Sequence, residues 1–162
     1  MILLNCLYLD ARYNFIVDQQ PIGRLLFRQF CEVSHKYQRY NNFLDLMDKY
    51  EVLFFHSLFQ EQMHDKGSNV KWTLLKLEMD EHRIDMAQEI YRRFLAPAAE
   101  EAIEIVNDDI IEQCKERLHE GSKDVFASCT AVVRGYLAGE PFSDFKNSMF
   151  FHRYLQWKFL ER

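Results

Sequence analysis

Glycine and proline are scarce in this chain, five and three of 162 residues, which disfavours the turn-dense architectures of all-β proteins and favours helices. Long apolar runs are missing too. The opening stretch Met1–Leu9 is apolar but too short to span a bilayer, and it lacks the basic flank of an export signal, so no transmembrane segment is expected. It reads as a hydrophobic cap on a bundle or as an artefact of a truncated gene model. Excess basic charge is lacking as well: a net charge of −5 excludes the basic stripe that a binder of many phosphates needs, and nucleic acid is not an expected partner.

Cysteines number four, at 6, 31, 114 and 129, with no CxxC pair, and they read as reduced thiols of a cytosolic protein. Cys31, Cys114 and Cys129 are expected to be small core residues. The glycines at 23, 67, 121, 135 and 139 are too scattered for a phosphate cradle, so no nucleotide cofactor is implied. Six histidines form no HxxxH or HExxH pair, and no metal site is expected. His35, His56, His64, His119 and His152 read as solvated loop residues. Neither an HRD nor a DFG tripeptide occurs, which removes the catalytic signatures of a protein kinase.

What is present is helical material. Hydrophobic residues make up 48% and aromatics 15%, enough for one compact core in a chain of this length. Pro21 opens a first helix through Cys31, with Ile22, Leu26 and Phe30 on one stripe and Phe27 beside it. A second begins near Asn41 or Asn42, carries Tyr40, Phe43, Leu44 and Met47 on one face, and could extend through Phe59. A loop is expected at Asp65–Asn69. Asp80 is a candidate cap for a helix ending at Pro97, and Ala98–Val106 is expected to be a short helical piece.

Asn107 or Asp108 can cap a helix that turns Ile110, Ile111, Cys114 and Leu118 inward and ends at Gly121 in the left-handed region. Ser122 is expected to cap the next, carrying Val125, Phe126, Cys129, Val132, Val133 and Tyr136. A last helix is expected over Phe142–Leu160, so aromatic around its circumference that it must be buried on several sides. The acidic runs Glu100-Glu101 and Asp108-Asp109-x-x-Glu112 read as dipole complements at helix starts.

Two stretches then resemble a known family. Gln20-Pro21-Ile22-Gly23-Arg24-Leu25-Leu26-Phe27-Arg28-Gln29-Phe30-Cys31 is similar to the first core helix of the regulator-of-G-protein-signalling (RGS) homology region of G-protein-coupled receptor kinases. Gly139-Glu140-Pro141-Phe142, Ser148-Met149-Phe150-Phe151 and Leu155 to Arg162 are similar to its last helix before the kinase domain. Phe43-Leu44-Asp45, Tyr50-Glu51-Val52 and Lys123-Asp124-Val125-Phe126 match in the same order, so the resemblance covers about 18–52 and 88–162. Its flavour is that of the non-visual branch lacking a pleckstrin-homology domain.

The resemblance implies an all-α, RGS-like orthogonal bundle of about seven to nine helices. Residues 1–17 are an atypical N-terminal segment, 18–162 the RGS homology domain, and about 53–81 an insertion that is either lineage-specific or translated non-coding sequence. The family's kinase domain is absent, and the chain is expected to be a fragment or a truncated product. The implied role is regulatory: support of the parent's kinase domain, with an activated Gα subunit or a receptor as further partner, at a cytoplasmic location peripheral to the plasma membrane. The rival readings are a stand-alone accelerator of Gα GTP hydrolysis and a receptor Ser/Thr kinase of which this is one part. Accelerating members place an Asn in the loop that here reads Glu120-Gly121-Ser122-Lys123, which argues against acceleration.

No catalytic residue is expected. Arg24, Arg28 and Arg153 are surface or capping cations or else interface anchors, and Trp157 is a core plug or a domain contact. The family's Gα contact lies on the helices Asp108–Leu118 and Ser122–Tyr136, which adds Asp109, Glu112 and Lys115 as candidate partner-binding residues.

Overall fold

The computed structural model describes residues 12–63 and 69–161, with side chains described outside 56–72. Met1–Leu9, Cys6 and His64 lie outside it, as does most of the loop expected at 65–69. Among the described residues there are seven α-helices and no strand, as the expected all-α class requires. They are α1 (Pro21–Val33), α2 (His35–Met63), α3 (Asn69–Ile90), α4 (Asp108–Arg117), α5 (Ala127–Leu137), α6 (Glu140–Lys146) and α7 (Met149–Leu160). The chain divides into two compact units, one of residues 1–41 with 134–162 and one of residues 42–133.

The first unit is built on aromatic rings. A one-turn π-helix, Asn14–Asp18, packs against α1, and α1 packs against α7. Gly23 allows the first contact: a Cβ there would stand 2.0 Å from the Ile16 carbonyl oxygen. The buried face of α1 is Gly23, Phe27, Phe30 and Cys31, one residue round from the stripe expected at Ile22 and Leu26, which are half-buried. Phe27 meets Tyr13 at 5.5 Å and Phe145 at 5.3 Å, both edge to face, and Phe145 meets Phe151 at 5.5 Å. Such edge-on pairs add about 0.5–1.5 kcal/mol each beyond their buried area.

Polar atoms at the rim of this core are satisfied. The Tyr37 hydroxyl donates to Asp144 at 2.5 Å and the Tyr154 hydroxyl to Gln20 at 2.8 Å. Burial, reinforced by the hydrogen bond to Asp144, pushes the Tyr37 phenol up to about 12.

The single closing helix expected over Phe142–Leu160 is two helices. Ser148 adopts extended backbone, its hydroxyl donates to the Phe145 carbonyl at 2.7 Å and accepts from the Phe151 N–H at 3.4 Å, so α6 stops and α7 starts there. The break explains the aromatic excess. Two short helices present two different buried faces, Phe142 and Phe145 on one and Phe151 and Tyr154 on the other, while Phe159 is 65% exposed.

In the second unit, Tyr50 and Phe43 of α2 meet Phe126 and Phe94 edge to face at 5.8 and 5.5 Å. Helix α2 starts at His35, earlier than expected, and Asp80 lies inside α3 rather than capping a new helix, because the segment from Asn69 onward is helical throughout. α3 ends in a π turn, Tyr91–Leu95, closed by the Ala96 N–H donating to the Tyr91 carbonyl. Residues 98–106 form turns rather than the expected helix. They are pinned by the Ile103 N–H on the Phe94 carbonyl and by Glu101, which accepts from Asn42 and Arg93.

His35, His119 and His152 are exposed as expected, but they and the His56 backbone lie on helices, not loops.

Candidate partner-binding face

Helix α4 begins where the sequence says it should. Asn107 is extended, and its side chain accepts from the Asp109 N–H at 3.1 Å, filling one of the four unpaired donors of a helix start. Asp108 and Asp109 in the first turn and Lys115 and Arg117 in the last complement the helix dipole. One side of α4 is core, with Cys114 buried and Ile110 and Ile111 half-buried. The other side is open: Asp108, Asp109, Glu112, Gln113, Lys115 and Glu116 are all exposed.

Three of the expected partner residues, Asp109, Glu112 and Lys115, therefore lie on one helix surface. Lys115 Nζ sits 3.2 Å from Glu112, and that hydrogen bond holds the ammonium above the ordinary lysine range. An exposed pair at this spacing is worth little in stability. Its consequence is a defined pattern of charge on the exposed side of α4.

After α4 the chain makes a short 3₁₀ turn, Leu118–Glu120, and reverses at Gly121, whose φ of 53° is the left-handed conformation expected for it. The turn rests on α3, since a Cβ at Gly121 would stand 3.0 Å from Ile84 Cγ1. Ser122 does not cap α5. Its carbonyl accepts from the Val125 N–H in a turn, and α5 starts five residues later at Ala127.

Arg117, which sequence reasoning did not single out, organises this reversal. Its guanidinium reaches Glu120 at 3.0 Å, Asp124 at 3.1 Å and the Ser122 hydroxyl at 3.4 Å. Arg117 holds both carboxyls below the usual carboxylate range, Glu120 and Asp124 alike, and is itself raised, first by Glu120. A carboxyl with a depressed native pKa contributes stability above its unfolded value and loses it as pH falls through the native one, so this network weakens only in acid. The signal in the sequence was Arg117 near three oxygen-bearing side chains, but only the reversal at Gly121 makes them converge. Lys123 Nζ, on the same loop, lies 4.7 Å from the Phe55 ring centroid.

The remaining expected residues belong to the other unit. Arg24 is exposed, and its guanidinium donates to the Val17 carbonyl at 3.1 Å and the Asp18 carbonyl at 2.9 Å, closing the C-terminal end of the π turn. Arg28 is one turn further on α1 and half-buried. Arg153 is exposed on α7, 5.8 Å from the Phe150 ring centroid. Trp157, one turn further, is half-buried between Tyr154, at 6.1 Å, and Lys158, at 5.3 Å from its ring.

Among the described residues no group of His, Cys, Asp and Glu is arranged to hold a metal, and no helix is long and apolar enough to cross a membrane.

Comparison with known proteins agrees with this architecture. Residues 12–154 match the family model for the regulator of G protein signaling domain. The chain is 31% identical to G protein-coupled receptor kinase 4 of Rattus norvegicus over 156 residues, 95% of this chain and 23% of that protein. It is 28% identical to G protein-coupled receptor kinase 2 of Drosophila melanogaster, covering 94% of this chain and 35% of the relative. With rhodopsin kinase grk7-a of Xenopus laevis the identity is 27%, over 93% of this chain and 23% of the relative. The chain thus spans 23% to 35% of the length of these relatives. A match over residues 12–154, together with a fold that is α-helical and without strands among the described residues, leaves one assignment: the chain belongs to the regulator of G protein signaling domain family, as the homology region found in G protein-coupled receptor kinases.

Proposed function

We propose that this domain works by binding rather than by bond making: it engages an activated Gα subunit through the exposed face of α4 and the adjoining surface of α5, without speeding GTP hydrolysis. The observation that carries the reading is the α4 face itself, where Asp109, Glu112 and Lys115 stand exposed on a helix whose opposite side is locked into the core. The Glu120–Lys123 loop beside it offers no Asn to a GTPase switch, which supports binding over acceleration. In this reading the domain belongs to receptor signalling and desensitisation, acts on the cytoplasmic side near the plasma membrane, and needs no cofactor or nucleic acid.

The test is calorimetric titration of the purified chain against Gα loaded with GDP or with GDP and aluminium fluoride, followed by single-turnover hydrolysis. Binding that depends on activation, with an unchanged hydrolysis rate, is the expected result. Faster hydrolysis would install the stand-alone accelerator instead, and absence of binding would remove Gα as the partner.

A second role, support of a kinase domain, draws on a separate observation. The end of α7 exposes Phe159 at 65% and Leu160 at 82%, apolar surface that a neighbouring domain would cover. Joining the chain to a kinase domain of its relatives should raise that domain's thermal midpoint, and a Phe159→Ser, Leu160→Ser double variant should lose the effect.

A further inference from the structure

The α4–α5 packing holds a feature that partner binding does not use. Cys114, on the inner side of α4, and Cys129, on α5, place their sulfur atoms 3.3 Å apart. The Cys114 side chain also lies 3.2 Å from the Val125 carbonyl oxygen. Both residues are buried, at 2% and 0% exposure. Their surroundings differ. Cys114 lines a cavity of about 120 Å³ whose wall includes Gln113, Arg117, Asp124 and Ser128, whereas Cys129 is not part of that wall. A volume of that size, several times the share of one water in the liquid, admits a small polar oxidant.

We propose that Cys114 and Cys129 are a modification site for hydroperoxides, in which Cys114 attacks a peroxide that enters the cavity and Cys129 resolves the product into a disulfide that ties α4 to α5. Two features assign the order. Only Cys114 faces the cavity, and Arg117 follows it one turn later on the same helix and in the same wall. The sulfur–sulfur contact lowers the Cys114 thiol, while the same contact, with burial, raises Cys129, which fits one nucleophile and one retained proton.

The chemistry balances in two steps. The Cys114 thiolate attacks one peroxide oxygen, the O–O bond breaks, and a proton converts the departing hydroxide to water, leaving a sulfenic acid on Cys114. The Cys129 sulfur then attacks the Cys114 sulfur, the S–O bond breaks, and the Cys129 proton leaves with the hydroxyl as a second water. Two thiols lose two electrons in total and one peroxide gains them. The sulfurs must close by about 1.3 Å to reach the bonded distance of about 2.05 Å.

The experiment treats the reduced full chain with hydrogen peroxide, blocks residual thiols with N-ethylmaleimide in denaturant, and maps tryptic peptides by mass. Peptide Phe94–Lys115 should appear joined to Asp124–Arg134, 2 Da below the sum of the two, and dithiothreitol should release them. Cys31, buried in the other unit, should keep its maleimide label and serves as the internal control. In a Cys129→Ala variant with unchanged circular dichroism, dimedone added on denaturation should mark Cys114. Equal oxidation of Cys31 and Cys114, a Cys114 linkage to any other cysteine, or full maleimide labelling of both cysteines after peroxide would each overturn the assignment. The mapping does not involve Gα, so the proposal stands or falls apart from the proposed function.

Discussion

The Tyr50 hydroxyl donates to the Ser122 carbonyl at 3.0 Å, so a side chain from the middle of α2 fixes the residue that follows the left-handed glycine of the α4–α5 connection. The connection between α4 and α5 is thereby tied to the core of its unit. Tyr50→Phe keeps the ring against Phe126 and removes only the hydroxyl. It should cost about 1 kcal/mol, the net worth of one hydrogen bond. Urea unfolding with an unchanged slope and a lower midpoint checks it, and an unchanged midpoint would show that the loop holds itself.

Alkali should unfold this protein through its tyrosines. Burial pushes Tyr50 up to about 12 and Tyr37 up to about 12, against an ordinary value of 10.0. Below 10 both states keep the phenol protons and this contribution is complete. Between 10 and about 12 the unfolded chain releases protons that the native state retains, so stability falls as pH rises across that interval. Denaturant midpoints should be flat up to the ordinary phenol value and decline above it. The decline should be shallower in a Tyr37→Phe, Tyr50→Phe double variant, and an identical decline would assign it to other groups.

Gly121 and Gly135 should respond to alanine with opposite signs. At Gly121 a φ of 53° and a Cβ 3.0 Å from Ile84 combine, and Gly121→Ala should cost about 1–2 kcal/mol. Gly135 lies inside α5 with nothing within 4 Å of its would-be Cβ, so Gly135→Ala should stabilise by about 0.5–1 kcal/mol. Thermal midpoints of the two variants decide it.

Of the four described glycines, Gly23 tolerates alanine least. Its Cβ would meet backbone, the Ile16 carbonyl oxygen at 2.0 Å, and backbone cannot swing aside as a side chain can. The π turn Asn14–Asp18 must leave α1, and the loss should reach about 3 kcal/mol or more. A loss below about 1 kcal/mol would mean that the turn repacks freely.

Lys115→Glu places a like charge beside Glu112 on an exposed surface and should leave stability within about 0.5 kcal/mol. If the α4 face meets Gα, association should weaken by about fivefold or more and depend less on salt. Unchanged affinity would move the partner surface elsewhere.

Much of this could be read from the chain. Pro21 and Asn107 mark helix starts that the structure keeps, because each acts through its own backbone or its immediate neighbours. Gly121 was legible for the same reason. Less legible were the limits that depend on distant partners. Ser122 has the chemistry of a cap, but its carbonyl is held by Tyr50, 72 residues away in sequence, and α5 begins later. The break at Ser148 was hidden by aromatics on both sides of it, which mimic one helix buried all round.

By itself, then, the sequence determined the helical class and the helix starts at Pro21 and Asn107, since periodicity and capping chemistry are short-range and survive without the rest of the fold, while its resemblance to a family pointed to the α4 surface. The tertiary structure decided which residues converge: Arg117 with Glu120 and Asp124, Tyr50 with Ser122, and Cys114 with Cys129 across 15 residues of chain. Convergence depends on where the chain reverses and on what packs beneath it, and those are properties of the folded whole that no spacing along the chain records.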